Sequence, residues 1–158
     1  MDTICSSKRS AIMARIKERN TAPEMRVRRA AHRLGFRFRL HRRDLPGAPD
    51  LVFPRLRQVL FVHGCFWHQH AECRRTHAPK SRLEYWQPKL ANNVQRDRTH
   101  ILELQKLGWT ARVIWECETN PPELLNSRIV SLLTNRNSGH PSDPRSRRFS
   151  GCMAGNTG

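Results

Sequence analysis

The chain has 158 residues, and its 29 Lys and Arg against 13 Asp and Glu give a formal net charge of +16 at pH 7, far from the balance of an ordinary enzyme. This charge favours a polyanionic partner, with nucleic acid the best fit; the alternative is a solvated basic surface without a function. No stretch approaches the roughly 18 consecutive apolar residues of a membrane span, and the N-terminus lacks the apolar centre of a signal peptide. We therefore exclude a membrane partner and expect a cytoplasmic protein.

The first half of the chain predicts two helices followed by short strands. The segment from Ser7 to Arg19 is typical of a helix, and Thr21 opens a second helix with Pro23 in its first turn. This second helix runs to Leu34, because Gly35 ends it. An alternating strand, a turn and two apolar runs typical of a hairpin come next, at Phe36–Leu40, Leu45–Pro49, Asp50–Phe53 and Gln58–Val62.

The second half predicts a long amphipathic helix, another apolar strand and a last helix, at Pro88–Leu107, Trp109–Trp115 and Pro121–Leu133. This order of helices and strands predicts an α/β sandwich around a mixed sheet. We predict a single domain over residues 1–133, since the chain is close to the common single-domain size. Residues 134–158 are rich in Ser, Gly, Asn, Pro and Arg and have almost nothing to bury, so we expect a disordered basic tail.

Cysteine and histidine are concentrated in HGCFWHQHAEC at 63–73, directly after the predicted hairpin. In a cytoplasmic protein, cysteines indicate metal ligation or inert packing rather than disulfides. Cys65, His70 and Cys73 lie in this loop, and Cys117 follows the last predicted strand, where it could complete a closed, structural zinc site. The alternative is a set of buried free cysteines.

The predicted hairpin places a carboxylate and an imidazole at the same end of the sheet, because Asp50 begins one strand and His63 ends the next. A carboxylate there can hold a hard cation such as magnesium, which would polarise a phosphate as a phosphodiester is cleaved. His63 and His68 would remain free to titrate. The alternative is that Asp50 is a turn residue after Gly47-Ala48-Pro49.

Five segments, in matching order and spacing, resemble the very short patch repair (Vsr) DNA mismatch endonuclease family. They are NTAPE (20–24), PGAPD (46–50), HGCFWHQH (63–70), NVQRDR (93–98) and GWTARVIWEC (108–117). The resemblance extends from about Ser7 to Glu118. It implies a restriction-endonuclease-like sandwich, in which helices flank a central mixed β-sheet and a structural zinc orders one loop.

The resemblance also implies an activity, namely magnesium-dependent hydrolysis of a phosphodiester that nicks one strand at a T·G mismatch. Such a nick begins the repair of deaminated 5-methylcytosine. Asp50 matches the magnesium-binding carboxylate, and Val62 would contact the same ion through its backbone carbonyl. His68 matches the histidine that activates the attacking water, with Asp97 as its acidic partner. Further active-site residues are implied at His63 and Glu24.

The remaining roles implied by the resemblance concern zinc and DNA. Structural zinc would be held by Cys65, His70, Cys73 and Cys117. Aromatic side chains would wedge into the base stack beside the mismatch, at Phe66, Trp67 and Trp86. Since neighbours in an extended segment point opposite ways, we expect Phe66 or Trp67 to face outward.

Several of these residues have simpler structural explanations. Glu24 completes a capping-box pattern with Thr21. Asp97 lies between two arginines and could be a surface ion-pair member, and the tryptophans could be ordinary core residues.

Two departures from the best-known family members concern Val62, where those carry threonine, and the loop from His70 to Cys73, which is one residue longer here. The implied partner is double-stranded DNA with a T·G mismatch, bound by a monomer in association with the nucleoid, and mismatch-repair proteins are candidate partners. Two rival interpretations are a non-catalytic, zinc-stabilised DNA-binding module and a nuclease of the same fold with a different DNA target.

Overall fold

The computed structural model describes residues 19–135 except Glu72 and Ala78. The predicted helix from Ser7 to Arg19, apart from its last residue, and the predicted tail beyond Asn135 lie outside the described residues. The chain order is α1 (Ala22–Arg33), β1 (Arg39–Leu40), β2 (Leu51–Phe53), β3 (Gln58–His63), α2 (Leu83–Lys106), β4 (Thr110–Trp115) and α3 (Pro122–Thr134). Short 3-10 turns follow β2 and β4, at Pro54–Leu56 and Glu116–Thr119. Among the described residues, no helix has the length and apolar character needed to cross a membrane.

The strands form one mixed sheet in the order β1-β2-β3-β4. β2 pairs antiparallel with both β1 and β3, which confirms the predicted hairpin, whereas β3 pairs parallel with β4. A parallel pair needs a crossover connection, and α2 supplies it. The predicted mixed α/β architecture is therefore confirmed. The start of β2 and the end of β3 lie at the same end of the sheet, so Asp50 and His63 are at that end.

The two faces of the sheet bury separate apolar clusters, because successive side chains of a strand point to opposite faces. Leu51 and Phe53 of β2 pack with residues of α1 and α3 on one face. Val52 packs with Leu104 of α2 on the other. The sheet is thus covered by α1 and α3 on one side and by α2 on the other.

The start of α1 follows the predicted capping chemistry. Thr21 is the N-cap, its Oγ1 accepts a hydrogen bond from the Glu24 N–H at 3.3 Å, and Pro23 lies in the first turn. These interactions satisfy a backbone donor that has no partner within the helix. Gly35 has a φ of +87°, which ends the helix as predicted.

Two predicted boundaries are wrong. α2 begins at Leu83, upstream of Pro88, which lies inside the helix. The added first turns carry Tyr85 and Trp86, and the Trp86 ring packs on Phe66. The predicted strand over residues 36–40 is reduced to Arg39–Leu40, because its aromatic side chains pack on the ring of Phe53 while only these two residues pair with β2.

Candidate active site

The Asp50 carboxylate lies where β2 begins, tied to the end of the neighbouring strand. The Val62 N–H donates to Asp50 Oδ2 at 2.7 Å, so one carboxylate oxygen is used by the backbone. The other oxygen, Oδ1, lies 4.0 Å from His41 Nδ1. Burial, reinforced by Glu24, raises the pKa of the Asp50 carboxyl to about 6. A buried carboxylate of this kind gains from a cation beside it.

Two residues that the sequence did not single out, Arg28 and His41, surround the Glu24 carboxylate. Glu24 is only 2% exposed, and its Oε1 contacts Arg28 Nη2 and lies 3.0 Å from His41 Nε2. Arg28 Nη2 also lies 2.7 Å from His41 Nε2, where it is the donor because a guanidinium has no acceptor. The Glu24 side chain therefore belongs to a buried polar cluster rather than to the second half of a capping box.

Ligand atoms of Glu24, His41 and Asp50 all lie within 4.8 Å of one another, close enough to share one metal ion. Burial and the charge of Arg28 keep the pKa of His41 below its usual value despite the opposing effect of Glu24. His41 Nε2 thus lies between the Arg28 guanidinium and the Glu24 carboxylate, and Nδ1 is the nitrogen on the Asp50 side.

The loop between β1 and β2 needs unusual backbone conformations to bring His41 and Asp50 together. His41 has a φ of +44° although it has a side chain, a conformation that costs free energy and is often found at functional sites. Gly47 has a φ of +74°, and a Cβ there would lie 2.7 Å from His100 Nδ1. Glycine at this position therefore allows the PGAPD turn to approach α2.

His68 and Asp97 form the second polar cluster. His68 Nδ1 lies 2.5 Å from Asp97 Oδ2 and donates to it, since a carboxylate only accepts. Burial raises the pKa of Asp97, but the His68 hydrogen bond and neighbouring cationic groups outweigh it and hold this pKa below its usual value. Because Nδ1–H is given to Asp97, the unprotonated form of the His68 ring has its lone pair on Nε2, where it can accept a proton. Asp97 is thus positioned by His68 and not by the flanking arginines alone.

The His63 ring stacks on His68 with centroids 3.9 Å apart and planes 8° from parallel. Burial and the charge of His68 lower the pKa of His63 to about 3, so His63 is neutral near pH 7. A neutral ring beside His68 avoids placing two like charges in contact. His63, His68 and Asp97 form their own cluster of ligand atoms within 4.8 Å, separate from that of Asp50. The two clusters are near enough for the charge of His68 to act on Asp50.

The four predicted zinc ligands converge. One ligand atom from each of Cys65, His70, Cys73 and Cys117 lies within 4.8 Å of the others, and Cys117 Sγ is 3.4 Å from His70 Nδ1. Burial, reinforced by the adjacent thiols Cys65 and Cys73, raises the pKa of Cys117 to about 12. Three thiols this close cannot all ionise without a cation, and a Cys3His donor set is one that zinc prefers.

Trp115 connects the cysteine cluster to the histidines. Its ring stacks on His70 with centroids 4.2 Å apart and planes 4° from parallel. The same ring meets the His63 ring edge-on at 5.4 Å. A continuous series of packed rings therefore runs from His70 through Trp115 and His63 to His68. No pattern in the sequence indicated a role for Trp115.

The aromatic side chains form a cluster of three rings. Centroid distances are 5.2 Å between Phe66 and Trp67, 5.7 Å between Phe66 and Trp86, and 5.8 Å between Trp67 and Trp86. All three are half-buried. The expectation that Phe66 and Trp67 point opposite ways is wrong, because this segment turns: His68 N donates to Gly64 O at 3.1 Å. Asn93 of α2 donates to Trp67 O at 3.3 Å and fixes the turn.

Comparison with known proteins identifies the enzyme class. The chain is 47% identical over 132 residues to the type II nicking enzyme V.XorIIP of Xanthomonas oryzae pv. oryzae, covering 84% of this chain and 96% of that protein. It is 41% identical over 123 residues to the DNA mismatch endonuclease Vsr of Escherichia coli, covering 78% of each chain. The type II nicking enzyme V.NmeAIP of Neisseria meningitidis is 37% identical over 132 residues, with 84% and 94% covered. The chain is therefore a DNA endonuclease.

The family model described as DNA mismatch endonuclease Vsr matches residues 1–75. Together with these identities, the match shows that the chain belongs to the Vsr family of DNA mismatch endonucleases. The family resemblance found in the sequence is confirmed, and with it a place in DNA mismatch repair and DNA as the substrate.

Proposed function

We propose that this endonuclease nicks one strand of a DNA duplex at a T·G mismatch, with Mg²⁺ at Asp50 and Zn²⁺ at the Cys65, His70, Cys73 and Cys117 cluster. One observation carries the proposal. The loop after β3 holds a histidine bonded to the Asp97 carboxylate, two of the three clustered aromatic rings and three zinc-type ligands, and Asp50 lies at the same end of the sheet. The mixed sheet, with the Asp50 carboxylate at the open end of the β2–β3 hairpin, also supports a restriction-endonuclease-like fold in one domain.

The residues around Asp50 fit a hard divalent cation. Carboxylate oxygens are the ligands that magnesium prefers, and Asp50 Oδ1 is the oxygen not used by Val62. Asp50 and the Val62 carbonyl would hold the ion, with Glu24 beside it. When bound, Mg²⁺ would polarise the scissile phosphate and stabilise its developing charge. The proximity of Arg28 to Glu24 limits the net negative charge of this cluster.

His68 is the proposed proton acceptor for the attacking water. Its Nδ1–H is held by Asp97, so Nε2 carries the lone pair, and the negative charge of Asp97 stabilises the imidazolium that forms. His63 stacks on this ring and fixes its plane. General-base catalysis of this kind contributes about 100- to 10,000-fold in rate.

The aromatic cluster is the proposed device for mismatch selection. Inserting a ring between base pairs costs a few kcal/mol of unstacking, and the cost is lowest at a mispaired step. Phe66 and Trp67 lie on the turn that the zinc ligands anchor, so the rings would approach DNA already ordered. Selection would therefore depend on how easily the base pair opens.

The test is a nicking assay on two duplexes that differ only in one base, a T·G mismatch against the matched pair. With Mg²⁺ we expect rapid nicking of the T·G duplex and a rate at least about 100-fold lower on the matched duplex, a difference of about 3 kcal/mol in the barrier. Equal rates would reject mismatch selection and indicate a nuclease with a different target. DNA binding without cleavage of either duplex would indicate a non-catalytic binding module.

A further inference from the structure

A groove of about 760 Å³ lies between α1 and the segment that leads into α3. Its floor includes apolar side chains such as Phe38 and Leu125, and one wall is formed by arginines of α1. Arg26, Arg29 and Arg33 line this wall and are exposed. None of the described residues that line the groove is acidic. We call it the arginine groove.

The arginine groove is continuous with the candidate active site through Arg28. This side chain lines the groove and contacts Glu24 and His41. A polymer whose backbone reaches the Asp50 cluster would therefore meet the groove at its Arg28 end.

The spacing of the arginines fits a repeating anion. Arg26 and Arg33 are seven residues apart, which corresponds to about 10 Å along a helix. A DNA strand advances about 3.4 Å per nucleotide along the duplex axis, so the wall extends over roughly three nucleotides. Arg29 lies between the other two on the same helix face.

The chain's own segments outside the described residues are electrostatically unsuited to this groove. Residues 1–18 contain four Lys and Arg against two Asp and Glu, and residues 136–158 contain four arginines against one aspartate. Both are positive, so the complementary occupant is an external polyanion.

We propose that the arginine groove binds the sugar-phosphate backbone of DNA beside the nick site. Phosphate contacts of this kind position a duplex and add affinity without reading its sequence. The proposal rests on the endonuclease assignment and not on the T·G preference, so a chain without mismatch selection would still show it.

The experiment measures binding of a labelled, matched duplex by fluorescence anisotropy over a series of KCl concentrations, without added Mg²⁺ so that the duplex is not cleaved. The test variant is Arg29→Ala with Arg33→Ala. The control variant is Arg55→Ala with Lys106→Ala, which removes the same charge at the opposite end of the sheet, in the hairpin turn and the last turn of α2. Both pairs are exposed.

Each phosphate contact contributes about 0.9 to the slope of log K against log salt. We expect the Arg29/Arg33 variant to lose about 1.8 from the slope, the control to lose nearly none, and Arg29→Lys with Arg33→Lys to regain most of it. Affinity for matched and T·G duplexes should fall by the same factor. Equal slopes for the test and control variants would overturn the proposal. Polyglutamate serves as a second, protein-like polyanion. If the Arg29/Arg33 variant loses binding to polyglutamate while its slope of log K against log salt for DNA is unchanged, the proposal is also overturned, in favour of an acidic protein partner. Circular dichroism and melting temperature show that each variant is folded.

Discussion

Replacement of Asp50 by Asn should lower the nicking rate at least about 1,000-fold, equivalent to about 4 kcal/mol of barrier. The amide oxygen can still accept the hydrogen bond from the Val62 N–H. What is lost is the negative charge that would hold magnesium, so DNA binding without added Mg²⁺ should be unchanged. The measurement is single-turnover nicking of the T·G duplex over a range of Mg²⁺ concentrations.

Stability distinguishes this loss of activity from unfolding. The folded-state pKa of Asp50, about 6, lies above its unfolded value, so ionised Asp50 destabilises the metal-free fold, and this cost develops as pH rises from about 4 to 6. Asp50→Asn removes the charge, and the melting temperature at pH 7 without added Mg²⁺ should be equal to or above that of the original chain. Asp44→Asn is the control, because Asp44 is 59% exposed and pairs only with Arg42 among the described residues. A variant at Asp50 that nicks normally would show that the carboxylate has no catalytic role.

Replacement of Cys117 by Ser should release zinc and destabilise the fold. Cys117 is the ligand that connects the turn after β3 to the end of β4, and a structural zinc supplies roughly 10 kcal/mol of folding free energy. Loss of even about 4 kcal/mol lowers the melting temperature by about 10 °C or more in a chain of this size. Elemental analysis should give one zinc per chain before the change and much less after it.

The cysteine prediction has a matched control in the same chain. Cys152→Ser makes the same chemical change in the C-terminal segment, and we expect unaltered zinc content and melting temperature. Activity should fall in Cys117→Ser even below its melting temperature, because the ring series from His70 through Trp115 to His63 would lose its anchor. A folded, fully active preparation without zinc would contradict the zinc assignment.

Local sequence patterns were sufficient to predict the elements and residues that depend on local chemistry. Thr21 and Pro23 predicted the start of α1, and the apolar runs on either side of residues 54–57 predicted the hairpin. The candidate metal ligands could also be identified from the sequence, because cysteine and histidine at short spacing after a strand are uncommon without a metal. Cys117 depended on the family resemblance as well as on its place after a strand.

Features that depend on tertiary packing could not be predicted. His41 lies in a loop and Arg28 on a helix face. Only the packing of α1 beside this end of the sheet brings both to Glu24. Pro88 suggested a helix start, since proline is unfavourable inside a helix. α2 instead begins upstream of Pro88, and its first turns include Trp86, whose ring contacts Phe66 and Trp67. The segment at Phe66 and Trp67 was expected to be extended, but the chain turns there, so the two rings lie together instead of on opposite sides.

We propose that the short loop after β3 serves zinc binding, proton transfer and base-pair opening through different side chains. The most direct measurement is the ratio of T·G to matched nicking rates for Trp67→Ala, taken together with its zinc content. We predict a ratio at least about tenfold lower, about 1.4 kcal/mol, with one zinc per chain retained and with DNA affinity without added Mg²⁺ little changed. An unchanged ratio in a folded, zinc-loaded variant would contradict the assignment of the aromatic cluster to mismatch selection.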